Sequence, residues 1–262
     1  MRKILSSIAI VATAIFPFAR VSGEGAAFVP PDSIVPRDSA SGAEAYTAAV
    51  CAAMQAAAAD SADRYTRLTI ADYERVAAEL GIEVATIRAV SDIEAGKTHK
   101  GFFEAGKPVI NFDRTIFRSR AMRAGISTAK PKEQAAIAMA PVNSRKYGSY
   151  ALAQQARLDA ARQIDPVIAN ESTFWGMFQI GGFNWHKCGM DSVDEFVAAM
   201  CHSEAMQLEL FARYIKNSGM LKYLQAKNWR AFARAYNGPS YARRGYHTRL
   251  ARAYAKYSAA AK

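Results

Sequence analysis

From residue 69 onward, apolar side chains recur at helical spacing between short polar breaks. Ile70, Tyr73, Val76, Ala77 and Leu80 follow Thr69 and precede Gly81, which predicts a helix capped by Thr69 and stopped by the glycine. A second helix is predicted from about Val84, with Ile87, Val90 and Ile93 on one stripe and its end near Ala95-Gly96. Glu94 then sits in the last turn of a buried helix. Two short apolar runs follow, Gly101-Phe102-Phe103 and Pro108 to Phe112, with Glu104-Ala105-Gly106-Lys107 between them. That is the pattern of a β-hairpin. Residues 119–150 show no sustained period and read as irregular. Helical spacing returns over 150–163, 193–217, 221–225, 228–236 and 241–258. The chain has no internal repeat, and the expected fold class is mainly α (α+β), a helical domain with one small hairpin directly after the Glu94 helix.

Upstream the pattern changes. Arg2 and Lys3 precede an apolar stretch from Ile4 to Ala19, and Val21-Ser22-Gly23 follows it. A run of about 16 residues is shorter than the ~20 that span a bilayer, so residues 1–23 are expected to be a cleaved export signal. The run ends without a cysteine, which argues against a lipid-anchored precursor. Residues 24–66 read as an arm with Pro30, Pro31 and Pro36, followed by an alanine-rich peripheral helix; residues 67–262 form the main domain. The expected location is the periplasm or the extracellular space.

Composition adds three points. With 51% hydrophobic and 22% charged residues, the chain suits a soluble globular protein, and a monomer with no membrane span after signal removal is expected. The formal charge of +11 would fall to +8 once Arg2, Lys3 and Arg20 leave with the signal. Anionic envelope polymers are the natural partners of that field. Nucleic acid is not expected, because no compact Lys/Arg run with interleaved aromatics occurs. Three cysteines allow one internal bridge; Cys188 with Cys201 is the preferred pair, with Cys51 left over, and buried unpaired thiols are the alternative. No Cys/His spacing suggests zinc, so neither a metal nor a cofactor is expected.

The candidate chemistry lies in three segments. A carboxylic acid that stays protonated near neutral pH can protonate a glycosidic oxygen. Burial and a helix C-terminus both disfavour the charged form, and Glu94 has both. The segment from Phe174 to Asn184 combines the amides Gln179 and Asn184 with aromatic rings and Gly176, Gly181 and Gly182, residues that suit sugar binding and close backbone approach. Trp175 and Phe178 are expected to be core, whereas Gln179 has no obvious core role. The third segment is the helix-ending turn Tyr236-Asn237-Gly238-Pro239.

With these residues in order, the chain resembles the peptidoglycan N-acetylmuramidase family of phage endolysins and bacterial envelope proteins, whose fold is lysozyme-like. The resemblance runs from about Thr69 to Tyr254. It implies that Glu94 is the catalytic glutamate, that Gln179 and Asn184 line the cleft, and that Tyr236 and Asn237 form a sugar-contact turn. It also implies glycan strands of peptidoglycan as substrate, cut between N-acetylmuramic acid and N-acetylglucosamine. Two departures stand out. Asn111-Phe112-Asp113 followed by Thr115 replaces the family's Leu-Phe-Glu and later His, and Gln179-Ile180-Gly181-Gly182 replaces its Gln-Ile-Met-Gly. Asp113 is the expected second carboxylate, with Asp92 and Glu171 as rivals, and Glu204 is expected to fix neighbouring backbone or a side chain. Lytic transglycosylation by the same glutamate, and glycan binding without turnover, are the competing readings.

Overall fold

The computed structural model describes residues 67–95 and 100–260. The expected export signal, the arm, its alanine-rich helix and Cys51 lie outside the described residues.

Helix α1 (Ile70–Leu80) starts where predicted. Thr69 and Asp72 form a reciprocal capping box, and Gly81 ends the helix at φ +60, a left-handed conformation open to glycine. Helix α2 (Val84–Glu94) buries Ile87, Ala89 and Val90 and ends on Glu94 itself. Strands β1 (Phe102–Glu104) and β2 (Lys107–Pro108) pair as a short hairpin. The expected hairpin stops there, which corrects the sequence reading. Pro108 has no N–H to continue the ladder, and β3 (Ile110–Phe112) leaves to pair with β4 (Thr173–Trp175), which in turn pairs with β5 (Ile180–Gly181). Val109 is the crossover: its N–H reaches Gly101 and its carbonyl accepts from Gly176.

Residues 119–150 are also more ordered than expected. Helix α3 (Arg114–Arg123) is capped by Asp113, and α4 (Lys132–Ala138) and α5 (Ser144–Tyr147) follow. α3 buries only Phe117 and Ala121, a stripe too thin to register as a period. Helices α6 (Tyr150–Arg162) and α7 (Pro166–Glu171) lead into β4, and a 3-10 turn (Gly182–Cys188) leads out of β5. The long helix expected over 193–217 is two helices, α8 (Val193–Met200) and α9 (Glu204–Asn217). Ser203 separates them by accepting from the Met206 N–H, as an N-cap does. Helix α10 (Leu221–Gln225), helix α11 (Trp229–Asn237), a 3-10 turn (Pro239–Tyr241) and helix α12 (Tyr246–Ala259) complete the described chain. α12 starts five residues later than its periodicity suggests, because Gly245 takes φ +66 in front of it.

The result is the mainly helical fold expected, with two small antiparallel sheets among the described residues. Its core centres on α9. Phe211, fully buried, stacks on Phe178 at 4.2 Å and meets the edge of Tyr236 at 5.5 Å. Burying one such ring contributes about 1.5–3 kcal/mol. Phe178 and Trp175 are each 2% exposed, so both are core residues, as expected.

Candidate active site

Glu94 is the final residue of α2, whose own last turn carries no basic side chain to offset the negative end of the helix dipole. Burial pushes its carboxyl up to about 7; the hydrogen bond from Asn237 and the positive charge of Arg249 pull the other way without cancelling it. A carboxyl with that value is partly protonated at neutral pH and suited to general acid catalysis. Asp92 lies two residues earlier on the same helix. It lines a cavity of about 290 Å³ with Arg88, Ser91 and Glu204, and Glu94 takes no part in that lining.

Two late elements hold Glu94. α12 packs against α2 in antiparallel sense: Arg249 is close enough to act on Glu94, while Arg88 lies over the Tyr257 ring at 4.3 Å. From the end of α11, the Asn237 amide Nδ2 donates to Glu94 Oε1 at 3.0 Å. The next residue, Gly238, has φ +73 and ψ −171, an extended-positive conformation that glycine alone adopts readily.

Tyr236 is tied inward. Its hydroxyl donates to the Phe178 carbonyl at 2.7 Å, and its ring stacks on Phe232 at 5.7 Å. Burial, and secondarily the charge of Glu94, raise its phenol well above the ordinary value. The turn between β4 and β5 is thereby pinned to α11. Gln179 sits in that turn at φ +50, and its Nε2 donates to Gly176 O at 2.9 Å and Val109 O at 3.3 Å. Asn184 lies in the 3-10 turn after β5 and is 8% exposed.

Asp113 caps α3, its Oδ1 accepting from Thr115 N at 2.8 Å and Ile116 N at 3.0 Å. Neither Asp113 nor Asn184 is hydrogen-bonded to Glu94. Glu171 is occupied on both oxygens: Arg120 donates to Oε2 through Nε and Nη2, and Trp185 Nε1 donates to Oε1.

The support beneath this wall comes from α9. Glu204 accepts the Gly101 N–H at 2.8 Å and the Leu68 N–H at 3.3 Å, so of the two expected partners, backbone or a side chain, it is backbone that it fixes. Gln207 has a role that the sequence motifs do not announce. Fully buried, it accepts from Met177 N at 2.7 Å and donates to Met200 O at 2.8 Å and Gly101 O at 3.3 Å. The signal was a glutamine on the apolar face of a helix, where a polar side chain needs partners. Gly176 and Gly101 make room for it: a Cβ on either would lie within 2.7 Å of its amide.

Cys188 is a free thiol, so the expected bridge to Cys201 is not formed. It is fully buried, and burial pushes the thiol up to about 12, which keeps it protonated and unreactive. Among the described residues no group of three or more His, Cys, Asp or Glu side chains could hold a metal ion.

The N-acetylmuramidase family model matches residues 83–258, a span that holds Glu94, Asp113, Gln179, Asn184, Tyr236 and Asn237. The chain belongs to the N-acetylmuramidase family. It is also similar to the endolysin of Burkholderia phage AP3, whose crystal structure matches with a TM-score of 0.64 at 40% identity, over 75% of this chain and 72% of that one. No curated protein sequence matches. The chain is therefore a glycoside hydrolase that acts on peptidoglycan. At Gly181, where the family resemblance leads to the expectation of a larger residue, a Cβ would meet the Phe183 ring at 2.5 Å. The ring takes the space a larger residue would fill.

Proposed function

We propose that this muramidase is exported and hydrolyses the bond between N-acetylmuramic acid and N-acetylglucosamine, with Glu94 as general acid. The observation that carries the proposal is the environment of Glu94. A partly buried carboxyl at a helix end, raised to about 7 and oriented by one amide, retains a proton to hand to the leaving sugar oxygen. Gln179 and Asn184 on the β4–β5 side and the Tyr236-Asn237 turn on the α11 side are the sugar-binding candidates. Export rests on Arg2, Lys3 and the short apolar run behind them. Among the described residues no helix is long and apolar enough to cross a membrane.

Asp113 is the proposed second carboxylate, with Oδ1 held by two backbone N–H groups and Oδ2 available to a water. The same cap favours a second reading. If capping is the whole role of Asp113, Glu94 works alone, and the muramic 6-hydroxyl replaces water as in lytic transglycosylation.

Mass spectrometry of peptidoglycan digests separates these readings. Reducing ends are expected from wild type, and Glu94→Gln should lose at least a hundredfold in rate, since acid catalysis is typically worth ~10²–10⁴. Asp113→Asn is a clean probe because asparagine caps a helix as well as aspartate does. A comparable loss in this variant supports the paired mechanism. Anhydro products with little loss support the single-glutamate route, and wild-type rates in Glu94→Gln would overturn the assignment.

A further inference from the structure

The C-terminal end of this chain is strongly basic and carries no acid to offset it. After Glu209 no acidic residue occurs, while 12 of the 34 Lys and Arg residues lie in 210–262. The rest of the chain sums to near neutrality, with 22 basic against 23 acidic residues, although 114–158 carries nine Lys and Arg against the one acid Glu133. The C-terminal segment builds α11 and α12, the elements that hold Glu94.

On α12, Arg249, Arg252 and Lys256 follow at i, i+3 and i+7, so they share one face. All three are exposed, as are Arg243 and Arg244 in the turn just ahead of the helix. None of the five is in an ion pair among the described residues. Arg249 and Lys256 lie over the rings of Tyr246 at 5.5 Å and Tyr257 at 5.2 Å, which limits where their charges point. Since Arg249 acts on Glu94 and Tyr257 meets Arg88 near the other end of α2, the stripe starts at the acid and runs away from it for roughly 10 Å at 1.5 Å per residue. The exposed large apolar residues, Ile70, Met122, Tyr150, Leu152 and Val167, are all elsewhere, so this face is built for charge and not for insertion into lipid.

The substrate supplies matching charge. In peptidoglycan the sugars cut by a muramidase are neutral, and the carboxylates sit on the peptide that branches from each muramic residue. A branch leaving the strand beside the cut bond begins next to the acid and extends away from it, as the basic stripe does. Arginine forks are well matched to carboxylates.

We propose that Arg243, Arg244 and the α12 stripe bind the carboxylates of the stem peptide, so that the enzyme selects peptide-bearing strands with free carboxylates. The inference rests on the hydrolase reading above and adds what part of the substrate is recognised beyond the sugars.

The test uses two preparations of one purified wall, native and with its carboxylates converted to neutral methylamides. Wild type should show a KM about three- to tenfold lower on the native wall, a difference that shrinks with added salt. The exposed triple variant Arg243→Gln, Arg244→Gln, Arg252→Gln should lose that preference on the native wall and suffer nothing further on the amidated one. Replacement of the same three by lysine should restore most of it. Equal treatment of both walls by wild type would overturn the proposal, as would a variant that loses equally on both. So would binding to anionic phospholipid vesicles as tight as binding to wall, if amidation leaves wall binding unchanged. Co-sedimentation with the two walls, read without turnover, keeps the outcome separate from the hydrolase reading: an enzyme that cuts neither wall but sediments preferentially with the native one refutes hydrolysis and supports peptide recognition.

Discussion

The Asn237 amide donates to Glu94 Oε1 at 3.0 Å across a sequence separation of 143 residues. That single bond joins the helix that ends in the acid to the turn that the family resemblance assigns to sugar contact. Its electrostatic effect opposes burial, because a donor favours the carboxylate. Asn237 therefore sets both the direction of the carboxyl and how far its proton affinity rises.

Asn237→Ala removes the donor, so the Glu94 carboxyl should rise further and the alkaline limb of the kcat profile should move to higher pH. The looser carboxyl should also cost roughly tenfold in kcat. If Asn237 instead serves only to bind sugar, KM should rise and the limb should stay in place. Steady-state kinetics between pH 5 and 9 separates the two.

Glu94 also links stability to pH. Its folded value of about 7 lies above the ordinary 4.5, so the fold favours the protonated form. Its contribution is fully present below about pH 4.5 and is lost as pH rises through about 7, a change on the order of 3 kcal/mol. Glu94→Gln is neutral throughout. It should be more stable than wild type above pH 7 by up to that order, and the gap should close toward pH 4.5. Glu79 and Glu204 are raised as well, so the difference between variant and wild type is the quantity to follow in urea melts. Parallel stability curves would show that Glu94 is not buried in the charged state.

Local signals in the sequence were sufficient for the elements that local chemistry determines. Thr69 and Gly81 delimit α1, and the stripe through Ile87, Val90 and Ile93 places Glu94 at a helix end. Elements that depend on distant partners were not legible. β3 has too few residues to declare its pairing, and the strand it joins begins more than 60 residues later at Thr173. The break at Ser203 was masked because α8 and α9 both carry apolar faces, so the periodicity runs on through the cap. At the site, the order of the three segments and the family resemblance they carry pointed to Glu94, Gln179 and Tyr236. What each does was visible only in three dimensions. Tyr236 and Gln179 spend hydrogen-bond donors on backbone carbonyls, and Asp113 spends an oxygen on the start of α3.

Gly176 and Gln207 should behave as one unit. Gly176 has φ +69, and a Cβ there would lie 2.7 Å from the Gln207 amide and 3.1 Å from the Met200 sulfur. Gly176→Ala therefore combines backbone strain with a clash against the side chain that holds the Met177 N–H, and should cost more than about 2 kcal/mol. Gln207→Ala should cost a similar amount by leaving buried backbone groups unpaired, at about 1–3 kcal/mol for each. In the Gln207→Ala background the clash with Gln207 is removed while the strain and the tight Met200 contact remain, so the second substitution should cost about 1 kcal/mol less than it does alone. A double-mutant cycle measured by urea unfolding reads that coupling. Additive penalties would mean that Gly176 is required for its backbone angle alone and that the close approach of Gln207 contributes nothing to the wall behind the cleft.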